Sequence, residues 1–541
     1  MTTEQQAHLA LLDWLNQPQS YPHAVTAVRK IETHISAVFL TGDFAYKLKK
    51  PVNFGFLDFS QLAQRHQFCQ MELQLNRRTA PQLYLDVVPI YQSKTAPQQI
   101  SFSPQPGLVV CDYLVKMRQF DPDQVLSRYI KRQDLSDQQA DALAHAIAEL
   151  HHIAEPIQAG HFLGSPQCVL EPMTDNFPSL FALLQEPSLI ISKPDIDLVS
   201  LKNRLNQLKL WTCNQHALLA PMIEQRQAEG HVRACHGDLH LDNITLLDDK
   251  PLLFDGIEFN DQFRWIDTLS DLAFLLIDLD YRQKPALAAH ILNRYLQLTG
   301  DYSGLVLLRF YQTYRALVRA KITGLRYLQL DPDSETANAA LASLLSYIEL
   351  AENYAYLTHT QPTLFIMQGV SGSGKSYYAN QIHQQTGAVI VSSDRERKRL
   401  FGIEPATRLN PAQRKKLYSN EMNGATYQRL YQACQSALQA GINVVADATF
   451  LQAKHRESFI QLAQNMQVNY LVVAIKPDPQ QAEALINARI KQNTDPSDAD
   501  ARVMRYQLDQ YEAPLDHERA LELNMKSAMP SLKKWLDPSL N

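Results

Sequence analysis

The stretch TLFIMQGVSGSGKS, residues 363–376, decides how the chain is read. An apolar run rich in strand-forming residues leads straight into Gly369-Val-Ser-Gly372-Ser-Gly374-Lys375-Ser376, and a helical pattern follows. The spacing G-x-x-x-x-G-K-[ST] between a strand and a helix is that of a loop that cradles phosphates. Its glycines let backbone N–H groups wrap the phosphates, and the helix N-terminus adds partial positive charge. Lys375 is placed to reach the outer phosphates of ATP, and the Ser376 hydroxyl to ligate Mg²⁺.

Downstream, AVIVSS (388–393), INVVADAT (442–449) and NYLVVAIK (469–476) alternate with helical segments. That alternation predicts a parallel sheet with helices on both faces. Asp394 and Asp447 then stand at the carboxyl ends of two strands, where such sheets bind ligands. Asp447 suits Mg²⁺ held through water, and Asp394 suits accepting a proton from an incoming hydroxyl. The competing reading of Asp394 is a helix N-cap.

The segment VSSDRERKRLFG, 391–402, with the loop at 369–376 and the strand VVADAT, resembles the P-loop kinases of the polynucleotide kinase and zeta-toxin type, which are AAA family ATPase-like. The resemblance covers 362–541. It implies that Asp394 is a general base, that Arg397 binds a phosphate, and that Arg489 is a lid residue over ATP. Asn493 stands where related kinases often carry a second lid arginine, with Lys491 as a substitute cation. Arg395, Lys398 and Arg399 read as a solvated helix face. Arg456 is either a further site cation or an ordinary surface charge.

Upstream of a linker near 355–362, AYLTHTQP, lies a second constellation in a domain of residues 1–355. His236-Gly-Asp238-Leu-His240-Leu-Asp242-Asn243 puts Asp238 and Asn243 five residues apart, the spacing of a kinase catalytic loop. Between Asn243 and Asp255, ITLLDDKPLLF reads as a hairpin that returns Asp255 beside Asn243. Two oxygen ligands would then converge on Mg²⁺, leaving Asp238 to orient and deprotonate a hydroxyl. These residues resemble the aminoglycoside phosphotransferase family, a branch of the protein-kinase-like fold. The resemblance covers roughly 30–350. It implies Asp238 as catalytic base, Asn243 and Asp255 as metal ligands, His236 as loop support and Asp271 as a structural acid. FAYKLKK resembles the kinase lysine strand and points to Lys47, with Lys49 on the same face as the alternative. Glu72 fits the pairing acid. DYLVKM, 112–117, is the expected adenine-binding segment, and a TGD turn at 41–43 stands where a glycine-rich lid would be. His240 is either a substrate contact or structural.

The expected fold is thus two domains: an N-terminal α+β protein-kinase-like domain and a C-terminal α/β P-loop NTPase with a parallel sheet. The remaining composition is consistent with this. A 541-residue chain with 45% apolar residues is long enough for several cores. A net charge of −5 argues against a broad nucleic-acid surface, though it leaves room for a nucleic-acid acceptor at the C-terminal domain. Six cysteines without a C-x-x-C pair, an N-terminus without a basic leader pattern, and no long apolar run lead to the expectation of a soluble cytoplasmic protein. The functional expectation is a bifunctional, Mg²⁺-dependent, ATP-using phosphotransferase with two nucleotide sites. The alternatives are a C-terminal polynucleotide 5′-hydroxyl kinase and a nucleotide-sensing module that controls the other half. On the helix pattern 311–326, Arg315 and Arg319 fall one turn apart. They suggest an anionic acceptor for the N-terminal site, or else pair with a neighbouring helix or face water.

Overall fold

The computed structural model describes residues 3–532, apart from 56, 188, 190–196, 357–360, 404–406, 408, 411–412, 414–415 and 493–500, and without the side chains of 3–5 and 489–492. The chain forms two compact units, Met1–Pro172 with Ala220–Asp278, and Met173–Leu219 with Leu279–Asn541.

The first unit is built on six antiparallel strands: β1 (Arg29–Glu32), β2 (Ser36–Leu40), β3 (Phe44–Lys49), β4 (Tyr84–Ser93), β5 (Ile100–Ser101) and β6 (Leu108–Arg118), in the order β1-β2-β3-β6-β4-β5. The period of two along β3 sorts its side chains. Tyr46 and Leu48 join a core with Leu11, Leu15 and Phe39. Ala45 joins the opposite core with Cys69, Leu73 and Val115. Lys47 and Lys49 share the face of Ala45, toward the helix Leu62–Asn76. Two short ribbons complete this unit. β7 (Val232–Ala234) pairs with β10 (Trp265–Asp267), and β8 (Ile244–Leu247) pairs with β9 (Lys250–Leu253). The β8–β9 turn is Asp248-Asp249, with φ of 50° and 60°. Positive φ at both central positions is the two-residue turn that matches strand twist, and Asp tolerates it.

The second unit holds the helices Pro285–Thr299, Leu305–Tyr327 and Glu335–Tyr356 together with a five-stranded parallel sheet. Its strands are β11 (Thr363–Gln368), β12 (Val389–Ser392), β13 (Val444–Asp447), β14 (Asn469–Lys476) and β15 (Ala520–Asn524), in the order β12-β13-β11-β14-β15. β11, the strand that enters the glycine loop, is central and fully buried, as a parallel strand covered on both faces must be. β12 is an edge strand, and the helical part of the same unit covers it. The Ile390 N–H donates to Asn293 Oδ1 at 2.8 Å, and the Tyr302 hydroxyl donates to the Ile390 carbonyl at 3.3 Å. Both expected fold classes are therefore present: α+β kinase-like, and α/β with a parallel sheet.

Candidate active sites

In the first unit the pleat of β3 delivers two ammonium groups to one acid. Lys47 Nζ donates to Glu72 Oε1 at 2.9 Å and Lys49 Nζ to Glu72 Oε2 at 2.6 Å. Lys47 also contacts Asp255 Oδ1, and Lys49 contacts Glu258 Oε1. Burial opposes the charge on Lys47, but Asp255 and Glu72 outweigh it and hold the ammonium protonated. Burial likewise opposes the Glu72 carboxylate, and the two lysines still bring it down to about 2. Glu258 was not anticipated from the sequence. Its signal was an acid two residues beyond Gly256, in the segment that returns to the lysines. Burial pushes its carboxyl up.

The hairpin β8–β9 does return the chain. Ile244 pairs with Leu253, and the Phe254 N–H donates to the Asn243 carbonyl at 3.0 Å. Asp255 takes φ 62°, with its N–H donating to the Tyr84 hydroxyl at 3.0 Å. Asn243 Nδ2 donates to the Asp238 carbonyl at 2.9 Å and to Asp238 Oδ2 at 3.0 Å. That pins the amide nitrogen to Asp238 and turns Oδ1 the other way. His240 caps the short helix Leu241–Asn243: its Nδ1 accepts the Asp242 N–H at 3.2 Å. The ring proton of the neutral form is then on Nε2, which lies 3.3 Å from Asp238 Oδ2. Asp271, fully buried, accepts the N–H groups of His236 at 3.0 Å and Gly237 at 2.9 Å, and it contacts His151 Nε2 at 3.1 Å. Burial lowers the His236 pKa, and its Nε2 meets the Phe254 carbonyl at 2.9 Å. Cys235 Sγ also lies near His151 and Asp271, but both Asp271 oxygens already serve the loop and burial pushes the thiol up. The trio is an anchor of the loop.

The expected adenine segment DYLVKM lies inside β6. Leu114 pairs with Leu48 on one side and Val88 on the other, so the sheet consumes that backbone. Asp112 is buried against Arg65 Nε at 3.0 Å. The sheet thus takes backbone groups of 114–117 that the sequence reading offers to adenine.

In the second unit the loop 369–376 joins β11 to the helix Lys375–Thr386. Gly372 has φ 80°, and a Cβ there would stand 2.6 Å from the Ala482 carbonyl, so the close backbone approach requires glycine. A Cβ on Gly369 would stand 2.6 Å from Ser373 Oγ, and Gly374 caps the helix at φ 90°. The Ser376 hydroxyl donates to Asp447 Oδ2 at 3.0 Å, and Lys375 Nζ donates to the Val370 carbonyl at 2.9 Å. A cavity of about 1450 Å³ opens here, lined among others by Lys375, Ser376, Asp394, Arg397, Asp447 and Arg502.

Asp394 is half-buried in the first turn of the helix Ser393–Leu400, whose N-cap is Ser392, so the cap reading of Asp394 does not hold. Arg397 is 7% exposed, contacts Asn423 Oδ1, and lies over the Tyr418 ring at 4.9 Å. The solvated-face reading fails for two of its three residues. Lys398 is buried with Nζ on the Thr407 carbonyl at 2.8 Å, and Arg399 Nη2 donates to the Gln297 carbonyl at 2.9 Å. Arg456 is neither a site cation nor a surface charge: it is fully buried, 2.9 Å from Glu518 Oε2. Arg489 belongs to the helix Pro479–Gln492, but its side chain, like Lys491 and Asn493, lies outside the described residues. The sequence reading also missed Gln507, whose Oε1 accepts the Ser371 N–H at 2.7 Å. The spacing of Arg502, Tyr506 and Gln507 on one face of Ala501–Asp509 was the available signal. Elsewhere in this unit, Arg315 is buried beside Tyr314, and Arg319 lies over the Tyr347 ring at 5.7 Å, so neither simply faces water.

Fold and site together define an enzyme of the kinase class. Residues 69–308 match the model of the phosphotransferase enzyme family, and residues 364–514 match that of the AAA domain. The chain thus carries a phosphotransferase-family domain followed by a P-loop domain of AAA type. Uncharacterized proteins of Mycobacterium tuberculosis and Mycobacterium bovis are 29% identical over 419 residues, 77% of this chain and 78% of theirs. Among solved structures, an ethanolamine kinase of Plasmodium vivax aligns at 11% identity over 64% of this chain and 94% of its own, TM-score 0.37. A gluconokinase of Sinorhizobium meliloti aligns at 17% identity over 31% and 86%, TM-score 0.23. No helix among the described residues is long and apolar enough to cross a membrane.

Proposed function

We propose that the chain is a bifunctional phosphotransferase that uses ATP and Mg²⁺ at two separate sites and phosphorylates hydroxyl-bearing acceptors. The functional division is 1–355 and 362–541. One observation carries this reading: Lys47, Glu72, Asp238, Asn243 and Asp255 lie together in one compact unit, and 369–376, Asp394 and Asp447 in the other.

In the N-terminal site Lys47, held by Glu72, grips the nucleotide phosphates. Asn243 Oδ1 and the Asp255 carboxylate supply hard oxygen donors, which suit Mg²⁺. Asp238, oriented by Asn243 and His240, takes the proton of the acceptor hydroxyl. In the C-terminal site Lys375 and the loop N–H groups hold the phosphates, and Ser376 with Asp447 would hold Mg²⁺. The metal, when bound, neutralises charge on the transferred phosphoryl group. Asp394 serves as base, and Arg397 orients a phosphate, with Arg489 as the proposed lid cation. Tyr377 and Tyr506, 59% and 68% exposed, line the same cavity and offer ring faces to a nucleobase. Lys375, Arg395, Arg397, Lys454 and Arg502 face Asp394 and Asp447 there, a balance that favours anionic ligands. Six cysteines with no disulfide among them fit the reducing cytoplasm.

Calorimetry of the full chain with Mg-ATP tests the reading. Two binding events are expected. Lys375→Ala should remove one and Asp255→Ala the other. A single event in the unmodified protein, abolished by either change, would overturn two-site binding.

A further inference from the structure

The helix that carries Asp394 and Arg397 has a second face, which is fastened. Glu396 is fully buried. One of its oxygens contacts Arg399 Nη1, and the other lies 3.2 Å from Arg429 Nε. Both arginines continue to the C-terminal end of the helix Pro285–Thr299, in the same compact unit. Arg399 Nη2 donates to the Gln297 carbonyl at 2.9 Å and the Leu298 carbonyl at 3.4 Å. Arg429 Nη2 donates to the Gly300 carbonyl at 2.7 Å. Gly300 closes that helix at φ 73°, and a Cβ there would stand 2.6 Å from Arg399 Nε. The last carbonyls of a helix carry partial negative charge, so two guanidiniums there are favourable, and Glu396 balances one of them. Gln297, in the last turn of the same helix, lines the phosphate-loop cavity.

A buried carboxylate with two planar partners is far more rigid than an exposed ion pair. Asp394 lies two residues before Glu396 on an eight-residue helix, and Arg397 follows it directly. We propose that Glu396 is a positioning residue of the C-terminal phosphotransfer site. With Arg399 and Arg429 it clamps the helix Ser393–Leu400 to the end of Pro285–Thr299 and so sets where Asp394 and Arg397 meet the acceptor. The inference rests on the P-loop reading above. It adds that residues 285–300, which precede the P-loop domain in the chain, are part of that domain's catalytic geometry.

The test uses the full chain carrying Asp255→Ala to empty the first site of nucleotide, with Mg-ATP as substrate and water as acceptor. Arg429→Gln removes one arm of the clamp at a partly exposed position, and Gly300→Ala displaces the other from outside the P-loop domain. Each should lower kcat about tenfold to a hundredfold, the scale of losses from small misplacement of a reacting group. ATP affinity by calorimetry should hold, and Arg429→Lys should recover part of the loss. An unchanged kcat with only a lowered Tm overturns the proposal, as does a loss of ATP affinity equal to the loss of kcat. Lys375→Ala in the same background should abolish hydrolysis. If it does not, the P-loop reading fails and takes this proposal with it, whereas the clamp variants bear on the proposal alone.

Discussion

Lys47 and Lys49 share a single carboxylate, one on each oxygen of Glu72, at 2.9 and 2.6 Å. The second contact of each lysine separates them: Lys47 turns to Asp255, and Lys49 turns to Glu258. One lysine therefore faces the proposed metal acid, and the other is enclosed with an acid that has no such role.

Lys47→Met should cost N-terminal turnover about 10²-fold, the scale of losing one preorganised charge. Lys49→Met should leave turnover per folded molecule within a few-fold and instead destabilise the fold by about 3–5 kcal/mol, because Glu258 is left buried and unpaired. Initial rates and thermal unfolding on both variants check this. Equal kinetic losses would show that the two lysines are interchangeable.

Glu72 makes the first unit acid-sensitive. Its folded pKa, about 2, lies below the ordinary 4.5, so its stabilisation is present above 4.5 and is lost as pH falls toward 2. Glu258 acts in the opposite sense, since burial raises its pKa, and so moderates the effect. Thermal unfolding between pH 6 and the acid range should show the loss in the unmodified chain. Glu72→Gln, already without the ion pairs, should show a flatter profile from a lower starting Tm.

His240 should matter to kcat and not to ATP. Its Nε2 lies 3.3 Å from Asp238 Oδ2, and its tautomer is fixed by the Asp242 N–H. His240→Ala is expected to lower N-terminal turnover about tenfold, as loss of an orienting partner does. Asp238→Asn should lower it about 10²–10⁴-fold. Steady-state kinetics with varied ATP would refute the orienting role if KM for ATP moved in step with kcat.

Arg456 should matter to stability and not to chemistry. It is buried against Glu518 and donates to the carbonyls of Phe450 at 3.1 Å and Glu512 at 3.1 Å. Arg456→Ala strands a buried carboxylate and should cost about 3–5 kcal/mol. The measurement is denaturant unfolding, paired with C-terminal turnover of the fraction that remains folded, which should be unchanged.

The sequence made the strands of the second unit legible where they were apolar and framed by turns. β11, β12, β13 and β14 all fall within the runs read for them. β15, ALELN, escaped notice because its charged alternation looks like a solvated segment and it sits at the sheet edge. The loop Asp238–Asn243 and the hairpin that returns Asp255 were legible because their geometry is local: fixed spacings and one tight turn. What stayed hidden is set by distant partners. Glu258 reaches Lys49 across 209 positions, and Arg399 reaches Gln297 across 102. No local pattern distinguishes a buried charge of that kind from one facing water, which is why Lys398, Arg399 and Arg456 were misread.

The Ile390 backbone pairs with side chains, Asn293 and Tyr302, in place of a neighbouring strand. Both partners precede the sheet in the chain, so during synthesis the cover emerges before the edge it protects. An open sheet edge is a template for any passing strand. Cutting the chain near 355–362 would therefore do more than separate the two proposed activities. It would bare β12, and the excised P-loop fragment should self-associate edge to edge, a liability that the intact polypeptide removes by its order of emergence.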